Sequence, residues 1–96
     1  MWYNISMKKA IITVVSKDSV GILAKVCTYL AETGVNILDI SQTVIQEYFN
    51  MIMIVDYGSA TKPFDELSSG MTKLGTDMGM RIRVQKAEIF EKMHRV

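Results

Sequence analysis

Apolar side chains fill nearly every position of Ala10-Ile11-Ile12-Thr13-Val14-Val15-Ser16, a β-branched run that predicts a central strand, β1, buried on at least one face. The period then changes. Lys17-Asp18-Ser19 turns the chain and offers helix-capping side chains, after which Leu23, Val26, Cys27 and Leu30 recur at the spacing of one helical face. This predicts a helix, α1, ending before Gly34, where a left-handed residue commonly closes a helix. From Val35 to Ile45 alternation returns as strand β2, with Leu38, Ile40 and Val44 expected on one face and Ile37, Asp39, Ser41 and Thr43 on the other. A break at Gln46-Glu47 predicts a hairpin into β3, from Phe49 to Val55, where Phe49, Met51, Met53 and Val55 resume period two.

Asp56-Tyr57-Gly58-Ser59 reads as a loop, and Pro63 suits the first turn of a second helix because its missing N–H is not needed there. Phe64, Leu67, Met71, Leu74 and Met78 form one apolar stripe along this helix, α2, which Gly79 closes. Gly70 and Gly75 within it each cost about 1 kcal/mol relative to alanine, which packing of the stripe against a sheet exceeds. Met80, Ile82 and Val84 then alternate with Arg81, Arg83 and Gln85 as β4, one face dry and one wet. Ile89, Phe90 and Met93 predict a short tail helix.

The order β1-α1-β2-β3-α2-β4 holds two right-handed crossovers joined by a hairpin. An antiparallel sheet in the spatial order 4-1-3-2, with both helices on one face, satisfies it most simply. The fold class is α+β, a ferredoxin-like βαββαβ sandwich whose edge strands β2 and β4 are open to pairing with another chain.

At 96 residues the chain holds one domain, and 49% hydrophobic with 22% charged residues is ordinary for a globular protein. Met7-Lys8-Lys9-Ala10 resembles a natural start, so residues 1–6 are expected to be an N-terminal extension and 91–96 a C-terminal tail. Eleven basic residues against ten acidic ones, with Lys8, Lys9, Arg81, Arg83 and Lys86 spread out, leave no surplus for a polyanion, so direct nucleic-acid binding is not expected. Cys27 is the only cysteine, which excludes an internal disulfide and fits a reducing cytoplasm. Apolar runs such as Ile52-Met53-Ile54-Val55 fall short of the roughly 18 residues that cross a bilayer. A signal-peptide pattern is also absent, and a cytoplasmic protein without a membrane partner is the expectation.

Catalysis finds little support. His94 is the sole histidine and lies near the C-terminus, with no nucleophile placed beside it by spacing. Asp65-Glu66 opens α2, where negative charge complements the helix dipole. Cys27 falls on the apolar face of α1, where a thiol packs as a small hydrophobe. No phosphate loop, zinc spacing or dinucleotide fingerprint occurs, so neither a metal nor a cofactor is expected. The informative segment is Lys17-Asp18-Ser19-Val20-Gly21-Ile22-Leu23, whose glycine falls where a helix begins. Two readings of Gly21 stand side by side. It permits close helix–sheet packing, or it lets a ligand carboxylate approach the free N–H groups of the first turn without meeting a Cβ atom.

Asp18-Ser19-Val20-Gly21-Ile22-Leu23, followed by Gly34-Val35-Asn36-Ile37-Leu38-Asp39-Ile40, resembles the pattern of the ACT domain, a small regulatory domain that senses amino acids in many biosynthetic enzymes. The resemblance spans about residues 7–90 and includes the βαββαβ order. Ile40-Ser41-Gln42-Thr43 and Phe49-Asn50-Met51-Ile52-Met53-Ile54-Val55-Asp56 are similar to segments of short, stand-alone prokaryotic ACT proteins. The chain also resembles the ACT units of the glycine cleavage transcriptional repressor and of formyltetrahydrofolate deformylase. In the ACT dimer of phosphoglycerate dehydrogenase the effector lies between the β1-α1 loop of one subunit and the start of β2 from its neighbour. Carried across, the resemblance implies a ligand-binding set of Asp18, Ser19, Val20, Gly21, Ile22 and Leu23 from the loop, with Asn36, Ile37 and Asp39 from β2. Amides near Gly21 and Ile22 take a carboxylate, Asp18 or Asp39 an ammonium, and Asn36 either. Asp18 replaces a neutral amide of that dehydrogenase and Val20 a proline of many ACT domains, departures that bear on ligand specificity.

The resulting expectation is a non-catalytic regulatory module, homodimeric, binding a small molecule of amino-acid type and read by a regulated partner protein. The competing expectation is a ligand-independent protein-interaction module that uses the open sheet face or the tail around Phe90 and Met93.

Overall fold

A computed structural model describes residues 8–17 and 21–87. Its elements are β1 (Lys9–Ser16), α1 (Ile22–Glu32), β2 (Asn36–Ile45), β3 (Tyr48–Asp56), α2 (Phe64–Met78) and β4 (Arg81–Lys86). The strands form one sheet in the order β2-β3-β1-β4, the expected arrangement read from the other edge, and every pairing is antiparallel. The tail helix expected around Phe90 lies outside the described residues, as do the extension 1–6 and the tail 91–96.

Alternation explains the layering. Ala10, Ile12 and Val14 of β1, Met51, Met53 and Val55 of β3 and Ile82 of β4 are buried together with Ile22, Val26 and Leu30 of α1 and Leu67 and Met71 of α2. Successive strand residues point to opposite faces, so both helices sit on the single face that carries these side chains. The other face, with Ile11, Thr13, Val15, Ile52 and Ile54, has neither of the described helices over it. Each fully buried aliphatic or methionine side chain stabilises the fold by about 1.5–3 kcal/mol, so this shared core supplies the driving force.

Strand β2 departs from the expected alternation. Ile37 pairs with Val55 and Asp39 with Ile54, so Leu38 is an extra residue in the ladder, a β-bulge. The bulge turns Ile37 toward the core beside Ile40 and leaves Leu38 at 45% exposure, the reverse of the face assignment that simple alternation predicts. Val44 pairs with Phe49 but is 68% exposed, because neither described helix shelters this stretch, where residues 41–48 are all exposed.

The glycines and the α2 stripe add two refinements. Met78 is exposed rather than part of the buried stripe, and Gly75 is buried in its place. A Cβ at Gly75 would lie 2.9 Å from the Met80 carbonyl oxygen and 3.1 Å from Ile82 Cγ1, so this glycine lets α2 lie close to β4. At Gly70 a Cβ would overlap the Tyr29 hydroxyl, so here α1 leans on α2. Gly34 and Gly79 take the left-handed conformation, as their places after the helices predict.

Candidate functional site

β1 runs out at Ser16 and the chain bends at Lys17; α1 begins at Ile22, directly after Gly21. Asp18, Ser19 and Val20, the polar half of the expected ligand loop, lie outside the described residues. Gly21 caps α1 with φ 77° and ψ −12°, a left-handed conformation that favours glycine, and among the described residues no side chain bonds the helix start. The first intrahelical bond runs from the Lys25 amide to the Gly21 carbonyl at 3.0 Å. Helix geometry therefore leaves the amides of Ile22, Leu23 and Ala24 without a carbonyl of the same helix. No acidic residue occupies the first turn to offset the positive dipole end. An added Cβ at Gly21 meets no described atom within 4 Å. A glycine here is favoured by the backbone conformation, and no described helix–sheet contact requires it.

Ile22 is buried and Leu23 half-buried, so these two contribute backbone rather than side chains at the loop. Asn36 is exposed at the start of β2, opposite Asp56, and Ile37 is half-buried opposite Val55. Asp39 is exposed on the face without helices, opposite Ile54. Within one protomer the two halves of the expected set are far apart. The Ser16 end of β1 pairs with Phe49, whereas Asn36 pairs with Asp56 at the far end of the same β3. Seven residues of strand separate those two points, about 23 Å at the usual rise. A site using Gly21 and Asn36 together needs a second chain.

The opposite end of the domain is closed by its own bonds. The Thr61 amide donates to the Thr33 carbonyl at 2.9 Å, and the Tyr57 and Phe64 rings meet at 5.1 Å with Lys86 Nζ 5.1 Å from Phe64. At the Gly21 end, in contrast, an open cleft of about 810 Å³ separates the end of β1 from the turn between α2 and β4. Lys17, Tyr48, Thr76 and Arg81 line it. Sequence reasoning missed this group because its members are distant in the chain and carry no motif; only the antiparallel placement of the ends of β1, β3 and β4 assembles them.

Among the described residues no cluster of three or more His, Cys, Asp or Glu side chains could hold a metal ion. Cys27 is half-buried on α1, and His94 lies outside the described residues. One polar atom stands out. The Tyr29 hydroxyl is buried without a hydrogen-bond partner, and burial, assisted by the nearby Glu66 carboxylate, holds the phenol above its ordinary pKa. No helix is long and apolar enough to cross a membrane, among the described residues.

Comparison with known proteins agrees with this architecture. The family model of the ACT domain matches residues 8–85. A UPF0237 protein of Bifidobacterium longum is 60% identical over 94% of this chain and 100% of its own length. The solved ACT domain protein from Streptococcus pneumoniae shares 45% identity, with a TM-score of 0.78 over 88% of this chain and 94% of that one. A formyltetrahydrofolate deformylase from Pseudomonas syringae pv. tomato has the same TM-score, 0.78, at 22% identity, over 88% of this chain but 29% of the deformylase. That last likeness is one of fold alone. The matched span takes in Gly21 and all six elements but for the last residue of β4, and the chain belongs to the ACT domain family and to the UPF0237 proteins.

Proposed function

We propose that this chain is a non-catalytic regulatory module that binds an amino acid or a related small metabolite at the interface of a homodimer. The observation that carries the reading is the cap of α1: a left-handed glycine with no described atom where its Cβ would stand, no capping side chain among the described residues and no acid in the first turn. Such a cap suits a carboxylate. Its charge effect supplies at most about 2 kcal/mol, whereas even millimolar affinity requires about 4 kcal/mol, so contacts from elsewhere are needed.

Asn36 of a second protomer is the proposed source of those contacts. Strand β2 is a ten-residue edge whose outer backbone groups face no other strand, and pairing two such edges would join the sheets and protect them. Asp18 and Asp39 are the proposed partners for a ligand ammonium. In this reading the occupied dimer is what a regulated protein of the cytoplasm recognises.

The second reading, a protein-interaction module that needs no ligand, draws on the exposed Ile45 and Ile52, which share the sheet face that no described helix covers and offer a partner an apolar surface. Calorimetric titration of the purified protein with the twenty amino acids, followed by folate and purine metabolites, separates the two. The sensor reading expects one saturable ligand whose affinity falls about tenfold or more in Asn36→Ala, a change at an exposed position that leaves the fold intact. Silence across the whole panel, together with a partner protein captured equally well with and without metabolites, would move the assignment to the interaction module.

A further inference from the structure

The cleft of about 810 Å³ at the Ser16 end of the sheet lies on the β4 and α2 side of the loop and contains none of the residues assigned to the α1 cap or to β2. We propose that it is a second ligand site, one that takes an organic anion, a carboxylate or phosphate carried on an apolar or aromatic body. Its size falls within the range of small-molecule pockets. Tyr48 and Met78 stand in it at 45% and 36% exposure, large apolar surfaces that the fold leaves uncovered, and Val15, Met80 and Ile82 add apolar lining. This is a surface for the body of a ligand.

The charge is one-sided. Lys17 and Arg81 both line the cleft, no carboxylate does so among the described residues, and neither cation forms an ion pair with a described residue. Lys17 Nζ instead stands 6.0 Å from the centroid of the Tyr48 ring, which places a cation beside the aromatic wall. The hydroxyl protons of Thr72 and Thr76 are already donated to the carbonyls of Ser68 and Thr72, at 3.0 and 3.1 Å. An anion in the cleft is therefore held by Lys17 and Arg81 rather than by these hydroxyls. Two of the last carbonyls of α2 are committed as well: Gly75 accepts from the Met80 amide at 2.8 Å and Thr76 from the Gly79 amide at 3.4 Å. A ligand ammonium would find no charged partner among the described lining residues. That separates this site from the α1 cap, where a zwitterionic amino acid is the proposed ligand, and neither site depends on the other.

The test is a nitrogen-15 amide-shift titration of the full chain with four probes: 3-phenylpropionate, phenyl phosphate, phenylalanine and inorganic phosphate. The first two carry a ring and an anion without an ammonium, phenylalanine adds the ammonium, and inorganic phosphate lacks the body. Saturable shifts at Lys17, Tyr48, Gly79 and Arg81 with 3-phenylpropionate or phenyl phosphate are expected, and which of the two binds more tightly distinguishes carboxylate from phosphate recognition. Phenylalanine and inorganic phosphate should bind those amides about tenfold more weakly, the factor set by losing the charge match or the apolar contact. Arg81→Gln and Lys17→Gln, at exposed positions, should each weaken the preferred probe about tenfold, whereas Lys62→Gln, an equal charge change at the opposite end of the domain, should leave it unchanged. The proposal is overturned by any of three results: no saturable shift at these amides, affinity indifferent to both charge variants, or phenylalanine binding there as tightly as 3-phenylpropionate. Shifts confined to Gly21, Ile22 and Leu23 would likewise overturn it while leaving the α1-cap reading standing.

Discussion

Replacing Gly75 by alanine sets two effects against each other whose sizes can both be read from the structure. On helix propensity alone the change should stabilise α2 by about 1 kcal/mol, because glycine inside a helix loses more backbone freedom on folding. The site opposes it. The new methyl would stand 2.9 Å from the Met80 carbonyl oxygen and 3.1 Å from Ile82 Cγ1, closer than ordinary van der Waals contact. Met80 cannot simply retreat, since its amide donates to the Gly75 carbonyl at 2.8 Å and its chain leads directly into β4. Overpacking of this kind costs about 1–3 kcal/mol, so the net expectation is a loss of about 1 kcal/mol. For a chain of this length that corresponds to a fall of about 4–8 °C in melting temperature. Urea denaturation followed by circular dichroism should show a lower midpoint with an unchanged slope. A midpoint above that of the parent protein would refute the claim that this glycine holds α2 against β4.

Other perturbations follow from the same geometry. Tyr29→Phe removes a buried hydroxyl that has no partner and should stabilise the protein by about 1 kcal/mol in thermal melts, whereas loss of stability would reveal a missed hydrogen bond. Because the folded state holds the Tyr29 phenol above its ordinary value near 10, its contribution is intact below that pH and is lost as pH rises through the raised folded value; Tyr29→Phe should flatten this alkaline decline, as denaturant titrations between neutral and strongly alkaline pH would reveal. Gln46 adopts a left-handed φ of 57° in the β2–β3 turn, and Gln46→Asn, which tolerates that region better, should raise stability by about 0.5 kcal/mol; a decrease would contradict the turn assignment. If two β2 edges pair, placing lysines at both Val44 and Ile45 should dissociate the dimer in analytical ultracentrifugation while leaving the circular dichroism spectrum intact, and an undisturbed dimer would locate the contact elsewhere.

Most of the architecture was legible because β3, β4 and both helices keep a clean period. Met51 and Met53 and the stripe through Leu67 and Met71 announce their faces, and all four are buried where expected, whereas the nearly continuous apolar run of β1 marked a central strand without saying that Ile12 and Val14 face the helices. Strand β2 resisted for a physical reason: Leu38 inserts into the ladder, and a period-two reading assigns the wrong face on one side of any insertion. Gly75 looked like a defect in a helix, since propensity counts only the chain's own backbone and its benefit lies in Met80 and Ile82 across the interface. The cap at Gly21 was visible from its position before an apolar-periodic run. Its distance from Asn36 was not, because the separation depends on which ends of β1 and β2 lie together in the sheet. The cleft lined by Lys17, Tyr48 and Arg81 left no local signature for the same reason.

The bulge in β2 also governs how the strand tolerates changes in chain length. If Leu38 were deleted, Ile37, Asp39 and Ile40 would still stand opposite Val55, Ile54 and Met53, now as consecutive steps of an ordinary ladder, so the core would keep its occupants. Loss of Ile40 instead would bring Ser41 up to Met53 on the buried side and carry every later residue of the strand onto the opposite face. The shorter chain lacking Leu38 would gain a straighter outer border, less distorted and therefore better disposed to recruit foreign strands. One surplus residue thus leaves the interior untouched and acts on what the rim will accept.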